Sequence, residues 1–320
     1  MRITTVKSKD IIRIYPKGEE SFDYKKISSD IAYNKDRDCY ECGFENYRKV
    51  ILSLPNSKFS DSFLKKLSRL ERDEVDKLYR KPLRVKHFNI KLRRFQKTGI
   101  NFSIDKLLQE HASVIISDEM GLGKTIEALG CALILKDLKK IKHVLIVCPN
   151  SAKKEWERMI RAFTNESYMI LENSSCLGCR VFFTVTNYDQ IRVLGGKLNS
   201  EYYDLLVVDE FHNIKNKYAK RTRALTRFKP SYKIFLSGTP ILNRTEELWT
   251  ILNYISPRDY PNHNKFIKKY CVIRKIKVPI IRRGRFIYSK YIDKIVGAKN
   301  VLELRMNLKD YMIRRRKEEV

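Results

Sequence analysis

From about Leu92 onward, short apolar runs alternate with longer amphipathic stretches. The runs occupy residues 113–117, 143–148, 181–185, 205–208 and 233–236, each four to six residues long and rich in β-branched or aromatic side chains. None shows the polar alternation of a half-exposed strand, so each reads as a strand buried on both faces of a parallel sheet. Residues 125–139, 152–163, 217–228 and 245–255 carry apolar positions at helical spacing. Repetition of strand, crossover helix and strand predicts an α/β domain with a mainly parallel central sheet flanked by helices.

The flanks read differently. Residues 1–85 are polar and tyrosine-rich, with one helical pattern at 60–78, where Phe63, Leu64, Leu67, Leu70 and Val75 recur before Lys81-Pro82 breaks it. A small N-terminal α+β addition is expected there. Beyond Pro257, residues 271–290 predict a basic hairpin turning near Arg283-Gly284, and residues 300–315 a final helix. The expected organisation is an accessory region over 1–85, the layered domain over 86–257 and a hairpin-and-helix extension over 258–320.

Charge adds a partner. Sixty-six Lys and Arg against 37 Asp and Glu leave a net charge of +29. These cations run through the whole chain instead of forming one tail, which suits a nucleic acid lying along a folded face. The sequence has no apolar run of membrane-spanning length and no apolar N-terminal segment of the kind a signal peptide needs. The expectation is a soluble intracellular protein without a membrane partner. Seven cysteines, an odd number in a chain this large, point to reduced thiols.

The strongest local chemistry is SVIISDEMGLGKT, an apolar strand, a glycine-bearing turn and a helix opening at Lys124-Thr125. Gly121 and Gly123 let backbone N–H groups turn inward around phosphate oxygens at a helix N-terminus. Lys124 then reaches the β- and γ-phosphates and the Thr125 hydroxyl ligates Mg²⁺. The strict phosphate-loop pattern places glycine where this chain has Asp118. Further on, LLVVDEFH puts Asp209 and Glu210 at the carboxyl tip of a buried strand, the ligand-binding edge of a parallel sheet. Asp209 suits the Mg²⁺ shell, and Glu210 suits deprotonation of the attacking water. Taken alone, an acidic pair there is equally a helix cap; following a phosphate loop, it reads as chemistry.

In order along residues 92–320, LRRFQ, DEMGLGKT, VLIVCPNSAKKEW, VTNYD, DEFHNIKN, LSGTPILNRTEELWTILNYISP and LKDYMIRRRKEEV resemble the motifs of Swi/Snf-type ATPases of helicase superfamily two. The resemblance implies a RecA-like phosphate-loop lobe that binds ATP and Mg²⁺ through Arg93, Gln96 and Met120, Gly121, Leu122, Gly123, Lys124, Thr125 and Ile126, with Gln96 reading the base. It implies nucleic-acid contacts at Ser151, Lys153, Lys154 and Thr186, and coupling between nucleotide and nucleic acid through His212, Ser237, Gly238 and Thr239. The implied activity is ATP-dependent translocation on double-stranded or branched DNA. A second RecA-like lobe, downstream or on a separate polypeptide, would supply arginine fingers, so this lobe alone is expected to be inactive or weak. The spacing around Tyr270-Cys271 and the stretch NVLEL resemble the annealing-helicase, fork-remodelling branch.

Three further readings accompany that one. Cys39-x-x-Cys42 and Cys176-x-x-Cys179 are each spaced like half of a structural Zn²⁺ site, with free buried thiols as the alternative. Trp156 and Trp249 lie in amphipathic helical patterns and read as core, and Arg314 to Lys317 as a linker with a solvated basic face. The competing functions are a superfamily-two RNA helicase lobe, against which GTPILN and ELW argue, and a DNA-binding module without turnover, against which Lys124, Asp209 and Glu210 argue.

Overall fold

A computed structural model describes residues 2–5, 10–16, 31–54, 57–81, 83–109, 112–172, 180–194, 197–198, 202–214, 216–238, 245–282 and 285–320. The chain divides into two compact units, each made of two segments: Met1–Lys77 with Lys268–Leu308, and Leu78–Ile267 with Lys309–Val320. The 258–320 region expected as one extension is thus shared between them.

In the first unit, strands β1 (Arg2–Thr5), β2 (Ile11–Tyr15), β3 (Ala32–Asn34), β4 (Cys39–Gly43) and β5 (Lys58–Phe59) form one sheet in the order β3-β4-β2-β1-β5. Alternation sorts its faces: Ile3, Ile12, Ile14 and Cys42 enter the core, while Arg13 pairs with Glu41 at 2.6 Å on the other side. Helices α1 (Tyr47–Ser53) and α2 (Asp61–Tyr79) supply Val50, Ile51, Phe63 and Leu67 to that core. The sheet is the α+β addition expected from the sequence.

The second unit is the layered α/β domain. Between α3 (Arg94–Leu107), α4 (Lys124–Asp137), α5 (Lys153–Phe163), α6 (Tyr188–Leu194), α7 (Lys220–Leu225) and α8 (Thr245–Ile255) run β6 (Ser113–Ile116), β7 (Val144–Cys148), β8 (Tyr168–Ile170), β9 (Phe183–Asn187), β10 (Leu205–Asp209) and β11 (Tyr232–Leu236). They pair in parallel, in the order β6-β11-β10-β7-β9-β8. Val114, Ile146 and Val207 are fully buried, as strands covered on both faces require. Helix α9 (His263–Tyr270) then carries the chain back to the first unit. No described helix is long and apolar enough to cross a membrane.

The hairpin is longer than expected: β12 (Cys271–Arg282) pairs with β13 (Arg285–Ala298) as a separate two-stranded ribbon. The final helix is shorter. α10 (Val301–Leu308) packs Leu302 and Met306 against the first unit's core, and Arg305 reaches Glu71 at 2.5 Å. The helix expected to reach residue 315 stops at Leu308, because the next residues join the other unit as β14 (Met312–Ile313), parallel to β6. Ile115 N–H donates to Tyr311 O, Ser117 N–H to Ile313 O and Glu119 N–H to Arg315 O, so the C-terminal segment tracks β6 into the loop that follows it.

A candidate nucleotide site at the carboxyl edge of the sheet

The turn after β6 has the backbone its sequence demanded. Gly121 and Gly123 hold φ of 88° and 89°, the left-handed region that side chains disfavour. Helix α4 opens immediately afterwards at Lys124, with Thr125 and Ile126 half-buried in its first turn. Gly123 is needed for space as well: a Cβ there would lie 2.6 Å from Gln96 Nε2. The buried Gln96 amide accepts from Arg93 N–H at 3.0 Å and donates to Leu122 O at 3.2 Å, tying the start of α3 to the loop. Lys124 Nζ donates to Asp118 O at 3.0 Å. Gly238, just beyond β11, packs so closely that a Cβ would meet Met120 Cγ at 2.5 Å and Lys124 Nζ at 3.4 Å. A cleft of about 420 Å³ beside the loop is lined by Arg93, Phe95, Gly121, Leu122, Lys317 and Val320.

Asp118, the departure from the strict loop pattern, is an anchor. It is fully buried, its Oδ1 accepts Arg315 N–H at 2.8 Å and its Oδ2 accepts Arg315 Nε at 2.9 Å. The same guanidinium donates to both oxygens of fully buried Glu127, at 2.7 and 2.8 Å, and to Phe95 O. Burial raises the Glu127 carboxyl above its ordinary range, with Arg315 opposing. The basic run at 314–317 is therefore not one solvated face: Arg314, Arg316 and Lys317 are exposed, whereas Arg315 is buried with two carboxylates because it continues the alternation of Tyr311 and Ile313. Nothing in local sequence marks this contact, which spans about 190 residues.

Asp209 ends β10. Trp156 Nε1 on α5 donates to its Oδ2 at 2.9 Å, and the Tyr188 hydroxyl donates to its backbone oxygen. Burial raises the Asp209 carboxyl above its ordinary range; the Trp156 N–H opposes this, Glu210 reinforces it and Lys124 opposes it in turn. Trp156 is thus core, as expected, and also a partner of the metal-site candidate. Glu210 adopts φ of 48°, a left-handed conformation uncommon for a residue with a side chain and typical of strained functional positions. Its Oε2 is buried, accepts no hydrogen bond and has His212 Nδ1 3.2 Å away.

The nucleic-acid candidates divide. Ser151 and Lys154 are exposed just beyond the carboxyl end of β7. Lys153 is half-buried, with Glu172 at 3.4 Å. Thr186 does not fit the role: it lies wholly inside β9 and its hydroxyl donates to Leu171 O at 3.4 Å, so no phosphate reaches it. At the end of β9, Asn187 Nδ2 instead donates to Asn150 Oδ1 at 2.9 Å, joining the loops after β7 and β9. Ser237 is buried and its N–H donates to Ile116 O at 3.2 Å; Thr239 lies outside the described residues.

The zinc reading loses its first half. Cys39 and Cys42 lie three residues apart on an extended strand, which turns their side chains to opposite faces. Cys42 joins the apolar core, its thiol pushed up to about 11 by burial, while Cys39 lies beside Arg13 and Glu41. Two thiols so divided make no common pair for one ion. Cys176 and Cys179 lie outside the described residues.

Comparison with known proteins agrees with this geometry. Residues 95–320 match the SNF2-related domain. The chain is 32% identical to the DNA annealing helicase and endonuclease ZRANB3 of Bos taurus and 31% identical to that of Homo sapiens, over 72% of this chain and 21% of either relative. It thus spans about a fifth of their length. The Sulfolobus solfataricus SWI2/SNF2 ATPase core in complex with dsDNA superposes with a TM-score of 0.61 at 24% identity, covering 75% of this chain and 47% of that one. That likeness shows the fold. With the domain match over 226 of its 320 residues (95–320) and a RecA-like sheet carrying these motifs, the chain belongs to the SNF2-related family of helicase superfamily two.

Proposed function

We propose that this chain is the nucleotide-binding lobe of an ATP-driven duplex-DNA translocase of the annealing-helicase branch. The observation that carries the reading is the meeting, at the carboxyl edge of one parallel sheet, of a glycine loop ending in Lys124, a carboxylate held by Trp156, and Glu210 in a strained backbone with an unbonded oxygen.

In hydrolysis the loop N–H groups and Lys124 bind the β- and γ-phosphates, and Gln96, whose amide is fixed against Leu122, is the residue assigned to reading the base. The Thr125 hydroxyl and the Asp209 carboxylate are hard oxygen donors suited to Mg²⁺, which neutralises phosphate charge. Glu210 takes a proton from the attacking water as the bond to the leaving diphosphate breaks. Gly238, against Met120 and Lys124, brings the end of β11 to the loop, and His212 stands beside Glu210, as coupling residues would. Arginine fingers on a second lobe would stabilise the transition state, worth about 10³ to 10⁵ in rate in such enzymes.

For the polymer, Ser151 and Lys154 are exposed groups that meet phosphates, with Lys153 secondary because of Glu172. Duplex DNA is favoured by the net charge of +29 and by the DNA named in the relatives at about 30% identity. The deciding measurement is ATP turnover by the two-lobed protein with duplex DNA, duplex RNA or neither. Stimulation by DNA alone, lost in Glu210→Gln with nucleotide binding retained, is expected. Stimulation by RNA alone, or full turnover by Glu210→Gln, would overturn the reading.

A further inference from the structure

The ribbon β12–β13 plays no part in the nucleotide site. Its root is fastened within the first unit: Cys271 is buried, Lys269 pairs with Glu303 at 2.6 Å, Lys299 N–H donates to Tyr270 O at 2.9 Å, and Asn300 Nδ2 donates to Lys269 O at 2.8 Å. Beyond that root the ribbon is uncovered. Among its described residues after Cys271 none is buried, and Tyr288 and Tyr291 are 54% and 69% exposed. Among the described residues no further strand pairs with either edge of this two-stranded sheet. An isolated two-stranded hairpin is marginal in water, so a long one left bare on both faces calls for a partner.

Charge identifies the partner. Residues 271–298 contain eight Lys or Arg and one acidic residue, Asp293. Register distributes them: Arg274 lies opposite Lys294 and shares its face, while Lys275 and Lys277 take the other face, opposite Asp293 and Tyr291. A ribbon cationic on both faces matches a surface that surrounds it with negative charge. The B-DNA major groove, about 12 Å wide and walled by phosphates, admits a two-stranded β-ribbon.

We infer that this ribbon is a second DNA-binding element, which inserts in the major groove and grips the phosphates on both sides without reading sequence. The inference rests on the proposed duplex-DNA function and adds a surface to it. Tyrosines among the cations contribute apolar contact and hydroxyl donors to sugar and phosphate.

The test uses the full chain without nucleotide, binding labelled duplexes of unrelated sequence by fluorescence anisotropy over a range of salt. Each lost phosphate contact makes the negative slope of log K against log salt shallower by about 0.9. Arg274→Gln with Lys294→Gln, and separately Lys275→Gln with Lys277→Gln, should each flatten it by up to about 1.8, equally for every sequence. The charge-retaining set Arg274→Lys, Lys275→Arg, Lys277→Arg and Lys294→Arg should keep the wild-type slope, and ATP affinity should not change in any variant. A four-fold Gln variant with the wild-type slope, while the wild type binds duplex DNA, overturns the ribbon alone. A wild type that binds no duplex DNA overturns the ribbon and the proposed function together. Equal flattening on duplex RNA, whose deep major groove is too narrow for a ribbon, overturns groove insertion.

Discussion

Replacing Arg315 by alanine removes the guanidinium shared by Asp118 and Glu127. Both carboxylates have no exposed surface, so water does not take over from the guanidinium. Breaking a buried pair by deleting one partner costs about 3–5 kcal/mol, because the remaining charge stays buried and unpaired. Protonation offers an escape, and the sign follows from burial. Glu127 already sits above its ordinary range in the folded chain. Without Arg315 it rises further, so the folded state binds a proton that the unfolded state releases, and the penalty grows with pH. Arg315→Ala should therefore lose about 3–5 kcal/mol at alkaline pH and less as the pH falls to about 8, where Glu127 takes up its proton even beside Arg315. Urea denaturation followed by tryptophan fluorescence reads the correct unit, since both tryptophans, Trp156 and Trp249, lie in it. The triple change Arg315→Met, Asp118→Asn and Glu127→Gln should recover most of the loss, because neutral partners leave no buried charge. A deficit below about 1 kcal/mol, or one that does not vary with pH, would refute the reasoning.

Other outcomes follow from the site. Lys124→Ala should abolish productive ATP binding, measured with a fluorescent ATP analogue, whereas Glu210→Gln should bind normally and fail to turn over in the two-lobed protein. Trp156→Phe removes a donor to the Asp209 carboxylate, so the acid limb of Mg²⁺-dependent nucleotide binding should move to higher pH. Lys154→Ala should flatten the salt dependence of DNA binding by about 0.9, and Lys153→Ala by less, because Lys153 already faces Glu172. Gly238→Ala should weaken nucleotide binding, since the added methyl group displaces Met120 from the loop.

How far the sequence could be read depended on range. The central strands were legible because burial on both faces leaves an unbroken apolar run, as in Leu205 to Val208, and the phosphate loop because its chemistry is local. The N-terminal α+β addition was expected, but its individual strands, of two to five residues, are too short for alternation to mark them one by one. The C-terminal segment misled for a specific reason. Leu304, Leu308, Tyr311 and Arg315 recur at helical spacing, yet burial follows a helix only to Leu308 and then alternates through Tyr311, Ile313 and Arg315. Thr186 failed as a DNA contact because a motif marks a strand and its loop without fixing which residue leaves the sheet. The Trp156, Tyr188 and Arg315 contacts join residues 21 to 197 positions apart, and no local pattern encodes such pairs.

The strand β14 has a consequence for where this lobe can be cut. It covers the outer edge of β6, whose Val114, Ile115 and Ile116 are fully buried. A chain shortened to end at Asp310 would uncover the N–H groups of Ile115, Ser117 and Glu119 along a flat apolar strand. Such an edge is a template for another copy of itself. The shortened lobe should come out of cells as aggregate, with its nucleotide residues intact in sequence and its solubility lost to a few missing backbone hydrogen bonds.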